Sequence, residues 1–230
     1  MAGVPVLLYH GFGDEPSRYI VSRRAFEMQM RLLSLLRIRV VSVAELAEAL
    51  RSGRRPRRTV ALTIDDGYAE VGDMVEVLDR YGFGATVFLV SETLGGVNDW
   101  SHDEQLRGRK ILTVEEARSL REHGVELGAH SRSHRELPGL DDAELVEEIT
   151  SSRRKLERIL GEPISSFAYP YGCFDERVVD AVRAAGFASA CTVARRPARL
   201  DDDPLLLPRV EIRRSDSLSR FFLEVALAGV

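Results

Sequence analysis

Two adjacent carboxylates, Asp65 and Asp66 in TIDDGY, follow directly on the apolar run TVALTI. Like charges this close repel, and each ionised acid resists removal from water, so the pair needs a compensating charge. Farther along, HSRSH places His130 and His134 four residues apart. On a helical turn that spacing puts both rings on one face, able to hold one metal ion. Two histidines and one carboxylate make a three-donor set that leaves a position open for water or substrate. The paired aspartates then divide the work. One carboxylate binds the ion, whose charge offsets the repulsion, and the other stays free as a base. Adjacent strand residues point to opposite faces, so both acids reach one site only if the chain turns there, and Gly67 permits that turn. The plainer alternatives are a helix cap at Asp65 or Asp66 and a solvated turn at HSRSH.

These residues need a frame that brings them together. Short apolar runs at 4–9, 38–41, 59–64, 84–90, 125–129, 165–169, 187–193 and 205–212 read as strands, the last interrupted by Pro208. Between them lie helix-length segments at 23–36, 43–51, 70–81, 113–123, 141–160 and 175–185, with a closing helix at 216–228. Ser42 with Glu45, and Thr113 with Glu116, have the spacing of capping boxes. Residues 91–111 form a long polar stretch without a period, and loops of that length in compact domains are often functional. The alternation predicts a parallel sheet covered by helices, and the number of units suggests a barrel, with its site at the C-terminal ends of the strands. His10, Asp65, Asp66, His130, His134 and the Pro170-Tyr171-Gly172 turn all fall on that rim.

LTIDDGY, then HSRSH, then FAYPYG resemble the polysaccharide deacetylases, the NodB-homology group or carbohydrate esterase family 4. The likeness runs over most of the chain and implies a distorted (β/α) barrel of about seven parallel strands, with residues 1–230 as a single catalytic domain. It also implies removal of N-acetyl groups from an amino sugar by metal-activated water, using a divalent metal, zinc foremost and cobalt or nickel as alternatives. By the family motif TFDDG, Asp65 resembles the catalytic base and Asp66 a metal ligand, with His130 and His134 as the other two. The family's RxPY motif falls on Ala168-Tyr169-Pro170-Tyr171, so its arginine is missing. Pro170 and Tyr171 remain to shape the acetyl site, with a backbone N–H at Tyr171 on the oxyanion. Arg209 in LPRVEI is the expected replacement, orienting Asp65 through an ion pair. The family's C-terminal acid histidine is also missing. VLLYHGF resembles a circularly rearranged branch that supplies it from the first strand, which makes His10 the expected acid. Trp100 is expected either to wall the sugar cleft or to anchor its loop.

The remaining sequence bounds the alternatives. A 44% hydrophobic and 30% charged composition suits a soluble globular domain. A net charge of -4 with interspersed signs gives no reason to expect nucleic acid. The expected partner is an acetylated carbohydrate, and no protein partner can be inferred. No leader and no membrane-spanning stretch are visible, so a cytoplasmic location is expected. Cys173 and Cys191 are expected to be free thiols. Two other functions stay open at this stage: a related hydrolase of a small amide such as a ureide or cyclic imide, and a catalytically silent carbohydrate-binding domain.

Overall fold

The computed structural model describes residues 3–54 and 56–226. Its strands are β1 (Val6–Tyr9), β2 (Gly11–Phe12), β3 (Ile20–Val21), β4 (Arg39–Val41), β5 (Thr59–Ile64), β6 (Ala85–Leu89), β7 (Val125–Ala129), β8 (Ser166–Ala168), β9 (Ser189–Cys191) and β10 (Val210–Glu211). The main sheet runs β10-β1-β5-β6-β7-β8-β9 with every pair parallel, and β4 adds to β5. β2 and β3 form a separate ribbon. All six residues of β5 are buried, as expected of a strand covered on both faces. A parallel bridge from Cys191 to Leu207, followed by pairing of Val210 with Leu7, carries the chain from the β9 edge to the β1 edge. The curled sheet matches the expected distorted (β/α) barrel of seven strands along its main path.

The helices are α1 (Arg23–Leu35), α2 (Val43–Arg51), α3 (Val71–Tyr81), α4 (Val114–Glu122), α5 (Asp142–Val146), α6 (Ser152–Leu160), α7 (Glu176–Ala184) and α8 (Leu218–Ala226). Both expected capping boxes form, Ser42 with Glu45 and Thr113 with Glu116. The single helix expected over 141–160 is instead α5, a π-helical segment Glu147–Ser151, and α6. That segment turns Glu148 inward, where it is 4% exposed. The last expected strand is also shorter than its apolar pattern suggested. Pro204–Leu206 is a 3-10 turn, and Pro208 separates the Leu207 bridge to Cys191 from the pairing of Val210 with Leu7. The last two residues of the closing helix expected over 216–228 lie outside the described residues.

Register sets the rim. Tyr9 pairs with Ile64, so β1 and β5 end level, and the Asp65 N–H donates to the Tyr9 carbonyl at 2.9 Å. Leu89 pairs with Ala129, and the His130 N–H donates to the Leu89 carbonyl at 2.8 Å. His10 and the Asp65–Asp66 pair therefore leave the sheet together; Ile64 pairs with Val87, so His130 leaves two residues farther along the register, on the same C-terminal edge. Among the described residues no helix is long and apolar enough to cross a membrane. Cys173 and Cys191 are free, and burial pushes the Cys191 thiol up to about 12, which leaves it inert as a nucleophile.

Candidate active site

Asp65 and Asp66 follow β5 directly, where the chain leaves the sheet. Asp66 (φ 72°) and Gly67 (φ 71°) are both left-handed. This turn, which Gly67 alone was expected to supply, lets the two neighbouring carboxylates converge. A non-glycine residue in that region is strained, and such strain tends to persist where function needs it. Ser131, His134 and Tyr171 share the conformation, at φ 62°, 60° and 57°.

His130 and His134 converge by a different route from the expected helical turn, because HSRSH is an irregular loop. The Ser131 side chain accepts from the His134 N–H at 2.9 Å. Glu148 accepts from the backbone N–H groups of Arg132 and Ser133 at 3.1 and 2.9 Å. A buried glutamate fifteen residues away thus holds the loop, and no motif in the sequence points to it. His130 Nδ1 donates to the Ala168 carbonyl at 2.7 Å, which leaves the Nε2 lone pair free for a ligand.

The three expected ligand atoms form a small triangle. His130 Nε2 and His134 Nε2 are 3.2 Å apart. Asp66 Oδ1 lies 3.3 Å from His134 Nε2 and 3.6 Å from His130 Nε2. A tetrahedral ion bonded at about 2.0–2.1 Å spaces its donors about 3.3–3.4 Å apart, so these residues fit a divalent cation. Asp66 Oδ1 is buried and has no hydrogen-bond partner, as an atom reserved for a metal would be. Among the described residues this is the metal-competent group the structure contains. His134 Nδ1 also lacks a partner. Its ring is held instead by Trp100, stacked at 5.0 Å, and by Tyr171, edge-on at 4.5 Å.

Asp65 stands beside the triangle with both oxygens engaged elsewhere. Arg209 Nη1 and Nη2 donate to its Oδ1 and Oδ2 at 2.6 and 2.8 Å. Arg209 is 1% exposed and is itself held by the carbonyl of Thr192 at 2.9 Å. The ion pair expected of Arg209 with Asp65 thus forms, between residues 144 apart in the chain. Burial pushes the Asp65 carboxyl up, but Arg209 first, then His130 and His10, hold it below the ordinary carboxylate range. Burial likewise opposes Asp66, and His134, His10 and His130 outweigh it, so that group too is held well below the ordinary carboxylate range. Burial, with a smaller push from His134, lowers His130 to about 4, despite the opposing pull of Asp65 and Asp66. At neutral pH two carboxylates and a neutral imidazole thus face one another, a donor set that suits a cation.

His10, Trp100, Tyr171, Asp65, Asp66, His130, His134 and Arg209 line one cavity of about 460 Å³. His10 packs edge-on against Tyr19 with ring centres 5.1 Å apart, and its buried Nδ1 has no hydrogen-bond partner. Pro170 is buried and opens the 3-10 turn that presents Tyr171, which is 41% exposed. Trp100 lines the cavity and stacks on His134. His102, for which the sequence suggested nothing, lines the cavity too. His123 stays away from it, at the end of α4, paired with Asp79.

A family model described as polysaccharide deacetylase matches residues 52–190. The chain is 26% identical over 222 residues to YxkH of Bacillus subtilis (strain 168), which covers 96% of this chain and 75% of that protein. It is 24% identical over 202 residues to a poly-beta-1,6-N-acetyl-D-glucosamine N-deacetylase of Staphylococcus epidermidis, covering 85% of this chain and 69% of the relative. Among solved structures, the Streptococcus pyogenes deacetylase PplD, in complex with acetate, superposes with a TM-score of 0.85 at 20% identity, over 97% of this chain and 98% of that one. At that identity the likeness is one of fold.

Proposed function

The chain belongs to the polysaccharide deacetylase family, and from that premise we propose that it hydrolyses the acetamide of an N-acetylated amino sugar, with residues 1–230 acting as one catalytic domain. Asp66, His130 and His134 would hold the divalent cation, zinc foremost. The chemistry such a cation supplies is acidification of water, from a pKa of about 16 toward about 7, and polarisation of a carbonyl.

The remaining work falls to the chain's own side chains. Asp65 is the general base: it is ionised, and its oxygens are held in place by Arg209. It takes the proton of the attacking water. The backbone N–H of Tyr171 holds the oxyanion, and one such donor is typically worth about 3 kcal/mol. His10, on the same cavity wall, gives a proton to the amine as the C–N bond breaks. Trp100, Tyr171 and Tyr19 offer aromatic faces for a sugar ring.

One observation carries this reading. A three-donor triangle of cation size stands beside a carboxylate held by an arginine through both oxygens, in the lining of one cavity. A silent binding domain would have no use for that arrangement. The test is acetate release from a panel of acetylated sugars by metal-stripped protein, with zinc, cobalt or nickel added back. Poly-β-1,6-N-acetylglucosamine comes first in the panel, because relatives carry that activity in their names. Nucleotide- and lipid-linked amino sugars test the cytoplasmic expectation, and small ureides and imides test the competing hydrolase. No metal-dependent acetate release from any sugar would refute the proposal.

A further inference from the structure

The lining of the site cavity is aromatic beside His134, where Trp100 and Tyr171 pack, and basic beside His10. Tyr19 packs edge-on against His10 with ring centres 5.1 Å apart, and the Arg18 guanidinium lies over the Tyr19 ring at 4.8 Å. Arg213 reaches the same place from the other end of the chain. Leu8 pairs with Glu211, and the Ile212 N–H donates to the Leu8 carbonyl at 2.9 Å, so the end of β10 lies beside the strand that leads into His10. The Arg214 N–H then donates to the Arg18 carbonyl at 3.0 Å, which ties the two arginine-bearing segments together.

One oxygen joins the two side chains. Arg18 Nη2 and Arg213 Nε both donate to Glu211 Oε2, each at 2.6 Å. Two guanidinium groups are thus held side by side against a single carboxylate, whose one charge does not neutralise both. Among the described residues neither arginine pairs with a second acid. Asp103 also lines the cavity, but its oxygens accept from the Ser17 hydroxyl at 2.6 Å and the Gln105 N–H at 2.8 Å. Asp216 accepts from the Arg213 backbone N–H at 2.8 Å and pairs with Arg220. The Arg18 and Arg213 side chains are 52% and 39% exposed, where an ion pair adds little to stability. Fold stability therefore does not account for a paired, under-neutralised set of donors inside the site cavity.

We propose that Arg18 and Arg213 form an anion subsite, and that the acetylated substrate carries an oxyanion, a carboxylate or a phosphate, on the reacting sugar or on the sugar next to it. The inference rests on the proposed reading of the cavity as a deacetylase site and names the substrate class within it. Guanidinium groups bind both oxyanions through paired N–H donors, and Arg18 and Arg213 keep nitrogens beyond the two that Glu211 engages. The placement follows from the stack, since only the Tyr19 ring separates Arg18 from His10, the residue that would protonate the amine.

The test compares paired probes on the full chain with its divalent cation bound. N-acetylglucosamine 1-phosphate is set against N-acetylglucosamine, and the hyaluronan tetrasaccharide, which carries carboxylates, against neutral tetra-N-acetylchitotetraose. Trp100 is the chain's single tryptophan and lines the cavity, so its fluorescence on rapid mixing reports binding ahead of turnover, and calorimetry checks it. In at least one pair the acidic probe is expected to bind about tenfold more tightly than its neutral partner, and that pair tells carboxylate from phosphate. The preference should shrink between about 0.02 M and about 0.3 M salt. Arg18→Gln and Arg213→Gln should each lower it severalfold, and Arg213→Lys should lower it less than Arg213→Gln. The double Arg18→Glu, Arg213→Glu variant should invert it. Melting temperatures identify any variant that fails to fold, and the wild-type salt dependence stands without them. Equal affinities within both pairs, or no binding of either acidic probe, would overturn the inference. So would a preference that survives in a folded Arg18→Gln, Arg213→Gln double variant, as direct binding of the anion to the cation would. Acetate release from neutral sugars judges the proposed function separately, and none of these outcomes touches it.

Discussion

Arg209 and Asp65 are 144 residues apart in the chain, and they meet fork to fork, at 2.6 and 2.8 Å, where both are almost wholly buried. The pair makes the candidate base an ionised and immobile group. Removing the cation leaves a buried, unpartnered carboxylate, so Arg209→Met is expected to destabilise the protein by about 3–5 kcal/mol in urea denaturation. Arg209→Lys keeps the charge but loses the planar fork, and kcat should fall about a hundredfold with a smaller loss of stability. A kinetically normal Arg209→Lys would show that the fork does not orient the base.

The two aspartates should separate on substitution. Asp65→Asn is expected to retain the metal and lose about 10²- to 10⁴-fold in turnover, since it removes proton acceptance and leaves the donor triangle whole. Asp66→Ala and His134→Ala should lose both metal and activity, because each removes a corner of that triangle. Elemental analysis after dialysis, run beside acetate release, checks both. Full activity with tightly held metal in Asp65→Asn would remove Asp65 as the base.

His10 lines the cavity without joining the triangle. His10→Ala should therefore bind cation as wild type does and turn over about 10²- to 10⁴-fold more slowly, the usual range for loss of a general acid. An unchanged rate would exclude it from the mechanism.

The metal-free protein should weaken in mild acid. An unfolded chain protonates His130 below about 6.5, whereas burial keeps the folded residue neutral down to about 4. Between those values the unfolded state binds more protons, so stability rises with pH across the window and falls as acid is added. The change should approach about 3 kcal/mol over the whole window. Denaturation of chelator-treated protein at pH 7 and pH 5 measures it, and His130→Gln should flatten the slope. An equal slope in that variant would assign the effect to other groups.

Much of this site was legible in the chain because its signals are local. An apolar run ending in two acids marks a buried parallel strand and its C-terminal edge, and HSRSH carries its spacing on its face. Helix caps at Ser42 and Thr113 involve residues three apart, and both formed as read. Where the reading slipped, a distant contact had overridden a local pattern. The periodicity of 141–160 is helical throughout, but Glu148 turns inward to hold a loop it cannot foresee in sequence, and a π segment accommodates it. HSRSH has helical spacing, yet it is shaped by that same glutamate and by the Ser131 side chain.

The sequence by itself determined the alternation of strands and helices, the rim on which the reactive residues fall, and the types of side chain available there. Those follow from periodicity and from neighbours within a few positions. The tertiary structure alone decided which of them meet: Arg209 on Asp65, Trp100 on His134, and Asn98 on Tyr68. Such pairings depend on strand register and on how a sheet curls back on itself, and those are settled by packing of the whole core, which no single stretch of chain encodes.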